Sequence, residues 1–289
     1  MRHLSIALAV AVAFGAVAAQ AQEVVVIGHS APLTGPQAVN GKDNENGARL
    51  TVNELNQQHV TVAGKAVTFK LDSQDDQADP KVGVQVAQNL VDRGVVAVLG
   101  PYNSGVAIPA SCVYSGAGVP LLPVASNPAL TQQGFTNIFR IGASDEQLGG
   151  TMAEFAFKTL KAKTAAIIDD RTACGQGVAQ QFEKVAKASG LTVVDHQFTN
   201  SQATDFLGIL TAIKAENPDV IFFGGVKMLA DAMVKAGTTT DKARLTAQLA
   251  REHYQGVAGT YSFDARGDLQ GAPTTVYVIK DGLPVPYAQ

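Results

Sequence analysis

The sequence predicts an α/β fold of two doubly wound parallel-sheet lobes joined by hinge strands. Three observations predict it. Short apolar runs closed by Gly or Pro recur along the chain, stretches of helical periodicity separate them, and the alternation occurs twice with a loop between. With 289 residues, 46% of them hydrophobic, the chain can bury a sizeable core and divide into two domains. A formal charge of −3 without any Lys/Arg run argues against a nucleic-acid groove or a polybasic membrane patch. Two cysteines exclude a disulfide-stapled scaffold and a Cys-rich zinc module.

In order, Glu23 to Gly28 reads as a buried strand, Asn44 to Leu55 as a helix and Val67 to Leu71 as a strand. Asp79-Pro80 opens a helix with Pro in its first turn. Val95 to Leu99 is a strand, Ser104 to Gly116 a helix and Pro120 to Val124 strand-like. The second run begins with an extended segment from Ile138 to Ile141, where the chain is expected to cross at a hinge around Arg140 to Ala143. A helix from Glu146 to Leu160 follows, then a strand from Ala165 to Ile168, a helix from Gln176 to Ala188 and a strand from Leu191 to Val194. Phe206 to Ala215 reads as helix and Val220 to Gly225 as strand. Met228 to Ala236 and Lys242 to Ala250 are expected helical, Gly259 to Asp264 and Thr275 to Ile279 extended, with turns at Ala265 to Asp268 and Asp281-Gly282.

Met1-Arg-His3, the apolar run from Leu4 to Ala19 and the small residues of Ala19-Gln-Ala21 read as a secretory signal peptide, with the mature chain starting at Gln22. The protein is therefore expected in the periplasm. The expected divisions are 1–21 signal peptide, 22–140 first lobe, 141–226 second lobe, 227–253 helices returning to the first lobe, and 254–289 strands completing the lobes.

Catalytic patterns are missing. None of His3, His29, His59, His196 and His253 stands at metal-ligand spacing from another, and no His-Glu-x-x-His occurs. There is no G-x-S-x-G elbow, no Walker A loop, and no G-x-G-x-x-G after a strand. Cys112 is expected in the core and Cys174 on a loop, with no His partner evident for either. The pairs Asp75-Asp76 and Asp169-Asp170 read as solvated or helix-capping acids. No enzyme, metal or cofactor is expected. What remains are loops suited to a small polar ligand. Gly100 to Gly105 follows a buried strand and opens a helix near Ser104, whose free amides and positive dipole end suit a carboxylate. Ser104 is equally a good N-cap residue. The next loop, Val124 to Thr131, can add backbone groups and the Ser126 hydroxyl.

Several stretches carry a family resemblance: Ala31-Pro-Leu-Thr-Gly-Pro36, Gly41 to Gly47, Asp75-Asp-Gln-Ala-Asp-Pro80, Ile108-Pro-Ala-Ser111 with Tyr114, and Ser126-Asn-Pro-Ala-Leu-Thr131. Ile167 to Thr172 with Gly175-Gln-Gly177, Phe222-Phe-Gly-Gly225, Tyr254-Gln-Gly-Val257, Phe263-Asp264 and Gly267-Asp268 continue it. The chain resembles the leucine/isoleucine/valine-binding proteins of branched-chain amino-acid ABC transporters, periplasmic binding proteins of type I. The resemblance implies a monomer whose lobes close on an amino acid, and whose closed form is read by a membrane permease. It implies that Ser104 binds the ligand carboxylate, that Ala125 and Ser126 contact its carboxylate and ammonium, and that Asn103 and Asn40 lie near its side chain. Cys174 stands where the family has a closing Tyr. Gly225 runs almost directly into Met228 to Ala236, so several tens of second-lobe residues look absent, among them the acid that pairs with the ammonium. The second lobe is accordingly expected to be incomplete. The same fold holding an amide or a short organic acid, or a truncated member with little affinity, is the alternative.

Overall fold

The computed structural model describes residues 23–200, 207–221, 253–256, 259–270, 277–280 and 283–286. The first strand, β1 (Glu23–Ala31), lies at the centre of a five-stranded sheet. It pairs in parallel with β3 (Lys65–Asp75) on one side and β4 (Ala97–Leu99) on the other, with Ile27 opposite both Leu71 and Ala97. β5 (Leu121–Leu122) joins β4 in parallel, and β2 (Thr61–Val62) folds back antiparallel on β3. The order is β2-β3-β1-β4-β5. β1 reads as a nearly unbroken apolar run because helices cover both faces of the sheet. On one side Val25, Ile27, Val67 and Phe69 pack with Val52 of α1 (Ala38–Gln57). On the other, α2 (Pro80–Asp92) and α3 (Ser104–Gly116) bury Val86, Leu90, Ala107, Ala110 and Tyr114 against Val98 and Leu121.

Successive strands depart from β1 in opposite directions, to β3 first and then to β4. The crevice above the carboxyl ends of β1 and β4 is therefore a topological switch point, where open α/β sheets hold ligands. The chain is tight there. Gly100, at φ +94, passes so close to β1 that a Cβ would stand 2.1 Å from the Ser30 carbonyl oxygen.

After β5 the segment 138–141 runs along the sheet edge, with Leu121 bridged to Ile138 and the Phe139 amide donating to the Leu121 carbonyl at 2.8 Å. It leads into α4 (Asp145–Glu154), which a Ser144/Gln147 capping box opens and a π-helical turn, 155–159, extends. A second parallel pair follows, β6 (Thr164–Asp169) with β7 (Thr192–Phe198), joined by α5 (Ala173–Ser189). α6 (Leu207–Glu216) precedes Val220, which bridges in parallel to Ala165 on the free side of β6. β6 thus lies between β7 and Val220 as β1 lies between β3 and β4. Ile167, Phe182, Ala186 and Leu191 form this unit's core.

Part of the C-terminal region returns to the first sheet. β8 (His253–Gly256), β9 (Gly259–Phe263) and β10 (Leu269–Gln270) form an antiparallel meander, and β11 (Tyr277–Lys280) pairs with β12 (Leu283–Pro286). Phe263 and Leu269 enter the core with Val25 and Ile27, Phe263 edge-on to Phe139 at 5.5 Å.

Expected and observed elements agree for the Asp79-capped helix, for Ser104 to Gly116 and for the alternation through α6. Two differ. α1 starts at Ala38 rather than Asn44, because its buried stripe, Gly41, Glu45, Ala48 and Val52, includes a glycine and an acid that hydrophobic periodicity does not register. Cys112 is exposed on α3, not in the core. Residues 1–21, the helices expected at 228–236 and 242–250, and the strand expected beyond Ile221 lie outside the described residues. No described helix is long and apolar enough to cross a membrane.

Arg140 pins the crossing between the two runs. Its side chain is fully buried. Nε donates to Asp268 Oδ1 at 2.7 Å, Nη1 to the Ala125 carbonyl, and Nη2 to the Asn127 carbonyl at 3.0 Å and Thr131 Oγ1 at 3.2 Å. Removing one member of such a group leaves the other as an uncompensated buried charge. Arg140→Met is expected to cost about 3–5 kcal/mol in urea unfolding, with part recovered when Asp268→Leu is added.

Candidate functional site

Three segments converge above the switch point: the start of α3, the loop after β5, and the start of α5. Asn103 is the residue ahead of α3, yet its side chain does not cap it. Nδ2 donates to Gln37 Oε1 at 2.6 Å, and the buried Oδ1 has no partner. Ser104 is therefore the first helical residue and not the N-cap that its residue type also fitted. It is 1% exposed, and its hydroxyl accepts the Asn127 amide at 3.2 Å. The Ser104 and Gly105 amides belong to the first turn, where no intrahelical acceptor exists.

In the loop after β5, the carbonyl of Ala125 is drawn inward by Arg140. Ser126 faces the other way, its hydroxyl 3.3 Å from the Cys174 sulfur and its carbonyl accepting the Asp145 amide at 2.8 Å. Asn127 caps its own 3-10 turn through Ala129 and reaches across to donate to the Ala173 carbonyl at 2.6 Å. Cys174 is the second residue of α5 rather than a loop residue, because Thr172 caps the helix by accepting the Gly175 amide at 3.0 Å. Cys174 keeps an exposed side, while its sulfur faces the hydroxyls of Ser126 and Ser104. Burial, with the Asp145 and Asp170 charges adding to it, pushes the thiol upward against those hydroxyls. A thiol held neutral hydrogen-bonds but is a poor nucleophile.

Of the residues singled out by sequence, the structure thus gathers Ser104, Ser126 and Cys174, with Asn103 beside them and Ala125 behind. Asn40 stays apart, exposed in the first turn of α1, its carbonyl accepting from Asn44 at 3.4 Å. Two of the acids expected to be solvated or helix-capping are buried instead: Asp76 accepts from the Ser30 hydroxyl at 2.7 Å, and Asp169, the last residue of β6, bonds His196 at 2.9 Å. No group of His, Cys, Asp and Glu among the described residues is arranged to hold a metal ion.

Sequence reasoning missed Tyr102, Gly177 and Asp145. Burial, with Cys174 and Asp43 next in effect, holds the Tyr102 phenol above its usual range. Gly177 lets α5 come down on the site, since a Cβ there would stand 2.1 Å from Asp145 Oδ2 and 2.6 Å from Asn127 Nδ2. Asp145, first in α4, is completely buried, and neither carboxylate oxygen has a hydrogen-bond partner. Burial pushes it up to about 6, against the weaker pull of the Ser126 hydroxyl and the Arg140 charge.

Gly177→Ala should force α5 off the Asp145 and Asn127 side chains, lowering urea stability by about 1–3 kcal/mol and raising the radius of gyration in solution scattering. Gly47→Ala, inside α1 with open space at its Cβ, should leave the radius of gyration unchanged and raise urea stability by about 0.5–1 kcal/mol. Between the unfolded value of 3.8 and about 6, the folded chain keeps a proton on Asp145 that the unfolded chain has released. This contribution is fully present below 3.8 and is lost as pH rises through 6. The urea midpoint of Asp145→Asn should therefore gain on that of the parent across this window, by roughly 2–3 kcal/mol in total.

The Periplasmic binding protein family profile matches residues 24–227. The Leu/Ile/Val-binding protein BraC3 of Rhizobium johnstonii is 39% identical over 202 residues, covering 70% of this chain but 54% of the relative. The Leu/Ile/Val-binding protein homolog 1 of Brucella abortus is 32% identical over 279 residues, 92% of this chain and 74% of the relative. The solved leucine-binding protein LivK of Thermotoga maritima superposes with a TM-score of 0.79 at 19% identity, over 91% of this chain and 98% of that one. The doubly wound sheet, the switch-point cluster and these likenesses agree: the chain belongs to the periplasmic binding protein family.

Proposed function

We propose that the chain is the extracytoplasmic substrate-binding component of an ABC transporter. It captures a branched-chain or related amino acid between its lobes and presents the closed form to a membrane permease. The observation that carries this reading is the meeting of Ser104 and Ser126 from the first sheet's loops with Cys174 from the start of α5. First-turn amides and two hydroxyls supply the donors that a carboxylate requires. Closure is favoured by whatever contacts the ligand makes to both lobes at once. The neutral Cys174 thiol fits a binding surface better than a catalytic one. The leader of residues 1–21, cut after Ala21, would deliver the mature monomer to the periplasm. The short Cys174 side chain, standing where the resembled family has a Tyr, leaves more room at the lobe contact and shifts specificity or weakens closure.

Isothermal titration of the mature chain with leucine, isoleucine and valine tests the reading. Saturable binding of at least one, with a raised melting temperature in its presence, is expected. Absence of heat and of thermal shift with all three, alongside a response to an amide or a short organic acid, would transfer the site to that ligand class.

A further inference from the structure

We propose that Asn103 makes the site selective for a ligand whose side chain carries a hydrogen-bond donor, a hydroxyl or an amide, over an aliphatic side chain of the same shape. The inference rests on the function proposed above and names which related amino acids the site prefers. Asp79, Asn127, Ser144 and Thr172 each stand ahead of a helical segment in extended backbone, and each caps it with its own side chain. Asn103 has the same backbone, at φ −87 and ψ 134, and asparagine is among the best capping residues. Yet its side chain makes no cap bond to α3. Nδ2 turns instead to Gln37 Oε1 at 2.6 Å, a residue 66 positions away. Gln37 stands ahead of α1 and likewise makes no side-chain cap there. Two residues placed to cap helices thus hold each other, and the capping energy of Asn103 is forgone.

This arrangement has two results. The first-turn amides of α3, which a capping Asn103 would engage, stay free for an acid group. Asn103 Oδ1, in turn, is buried with no hydrogen-bond partner. A carbonyl oxygen taken out of water without a donor is costly, and buried polar atoms are ordinarily satisfied. Neither α3 nor Gln37 supplies the donor, so it is left to whatever occupies the site. Asn103 adjoins Ser104, so a molecule holding its carboxylate on the first-turn amides has its remaining atoms close to Oδ1. On the other side of Asn103, the half-buried Tyr102 adds a phenol that feels the Cys174 and Asp43 groups. An aliphatic side chain would leave Oδ1 dry and unpaired, whereas a hydroxyl or an amide would donate to it. A site built to bond a ligand hydroxyl rejects the analogue lacking it far more strongly than an apolar pocket rejects an added hydroxyl.

Threonine and valine provide the test, because they share a shape and differ by a hydroxyl in place of a methyl. In isothermal titration the mature chain should bind threonine about tenfold or more tightly than valine. Asn103→Leu should lose that preference, binding valine at least as well as threonine, and should melt close to the parent without ligand, because no cap is lost. A merely structural Asn103 would weaken both ligands together and keep their ratio. Parent affinities within about threefold of each other, or an unchanged ratio in Asn103→Leu, would overturn the inference and leave the binding function standing. A parent that binds none of leucine, isoleucine, valine and threonine would overturn the proposed function, and this inference with it. Should Asn103→Leu fail to fold, a second pair decides in the parent alone. Serine and 2-aminobutyrate differ in the same way; serine should bind more tightly, and equal affinities would overturn the inference.

Discussion

One buried guanidinium holds the first lobe to the crossing segment. Arg140 reaches the loop after β5 at two carbonyls, the 3-10 turn at Thr131, and the carboxylate of Asp268, which Thr131 Oγ1 approaches at 2.9 Å from either oxygen. A single planar group with five donors in fixed directions can satisfy that many acceptors where a lysine could not. The loop bearing Ser126 is shaped by this interaction, because its flanking carbonyls point inward to Arg140 and its hydroxyl is left facing the second lobe. The crossing strand, the loop after β5 and the C-terminal meander are thus fixed by one side chain.

The start of α5 is built from residues chosen for what they lack. Gly177 leaves room for Asp145 and Asn127, Gly175 leaves room for the Asp170 carboxylate at 2.1 Å from a would-be Cβ, and Cys174 offers a small neutral sulfur. Small residues let the start of α5 descend onto the serines, and polar atoms without bulk keep the surface hydrophilic. The cost is concentrated at Asp145, whose desolvation the rest of the fold must offset. A fold that keeps an uncompensated buried acid gives up stability at that point.

Much of the fold was legible because its signals are local. Asp79-Pro80 states a cap and a first helical residue in two letters, and its side chain accepts the amides of Lys81 and Val82 at 2.7 and 3.0 Å. The early turns of α1 were not legible. Their inward positions are Gly41, which passes 2.0 Å from the Pro32 carbonyl if given a Cβ, and Glu45, held between Lys42 and Arg49. Neither has the apolar character that periodicity detects. In the site, Ser104 and Ser126 could be read from their places after strands. Asp145 could not, since burial of an acid is decided by what packs over it, here α5. The spacing of Ser144 and Gln147 was the one local signal that would have placed Asp145 at a helix start.

Arg140 and Asp268 are 128 positions apart, and the Phe139 ring meets Phe263 across a similar span. A chain emerging amino terminus first therefore leaves its guanidinium without a carboxylate until nearly all of it has been released. Contacts this distant close late, and they carry the loop entropy of everything between. The Arg140 cluster is therefore complete only once the C-terminal meander has come back to the first sheet.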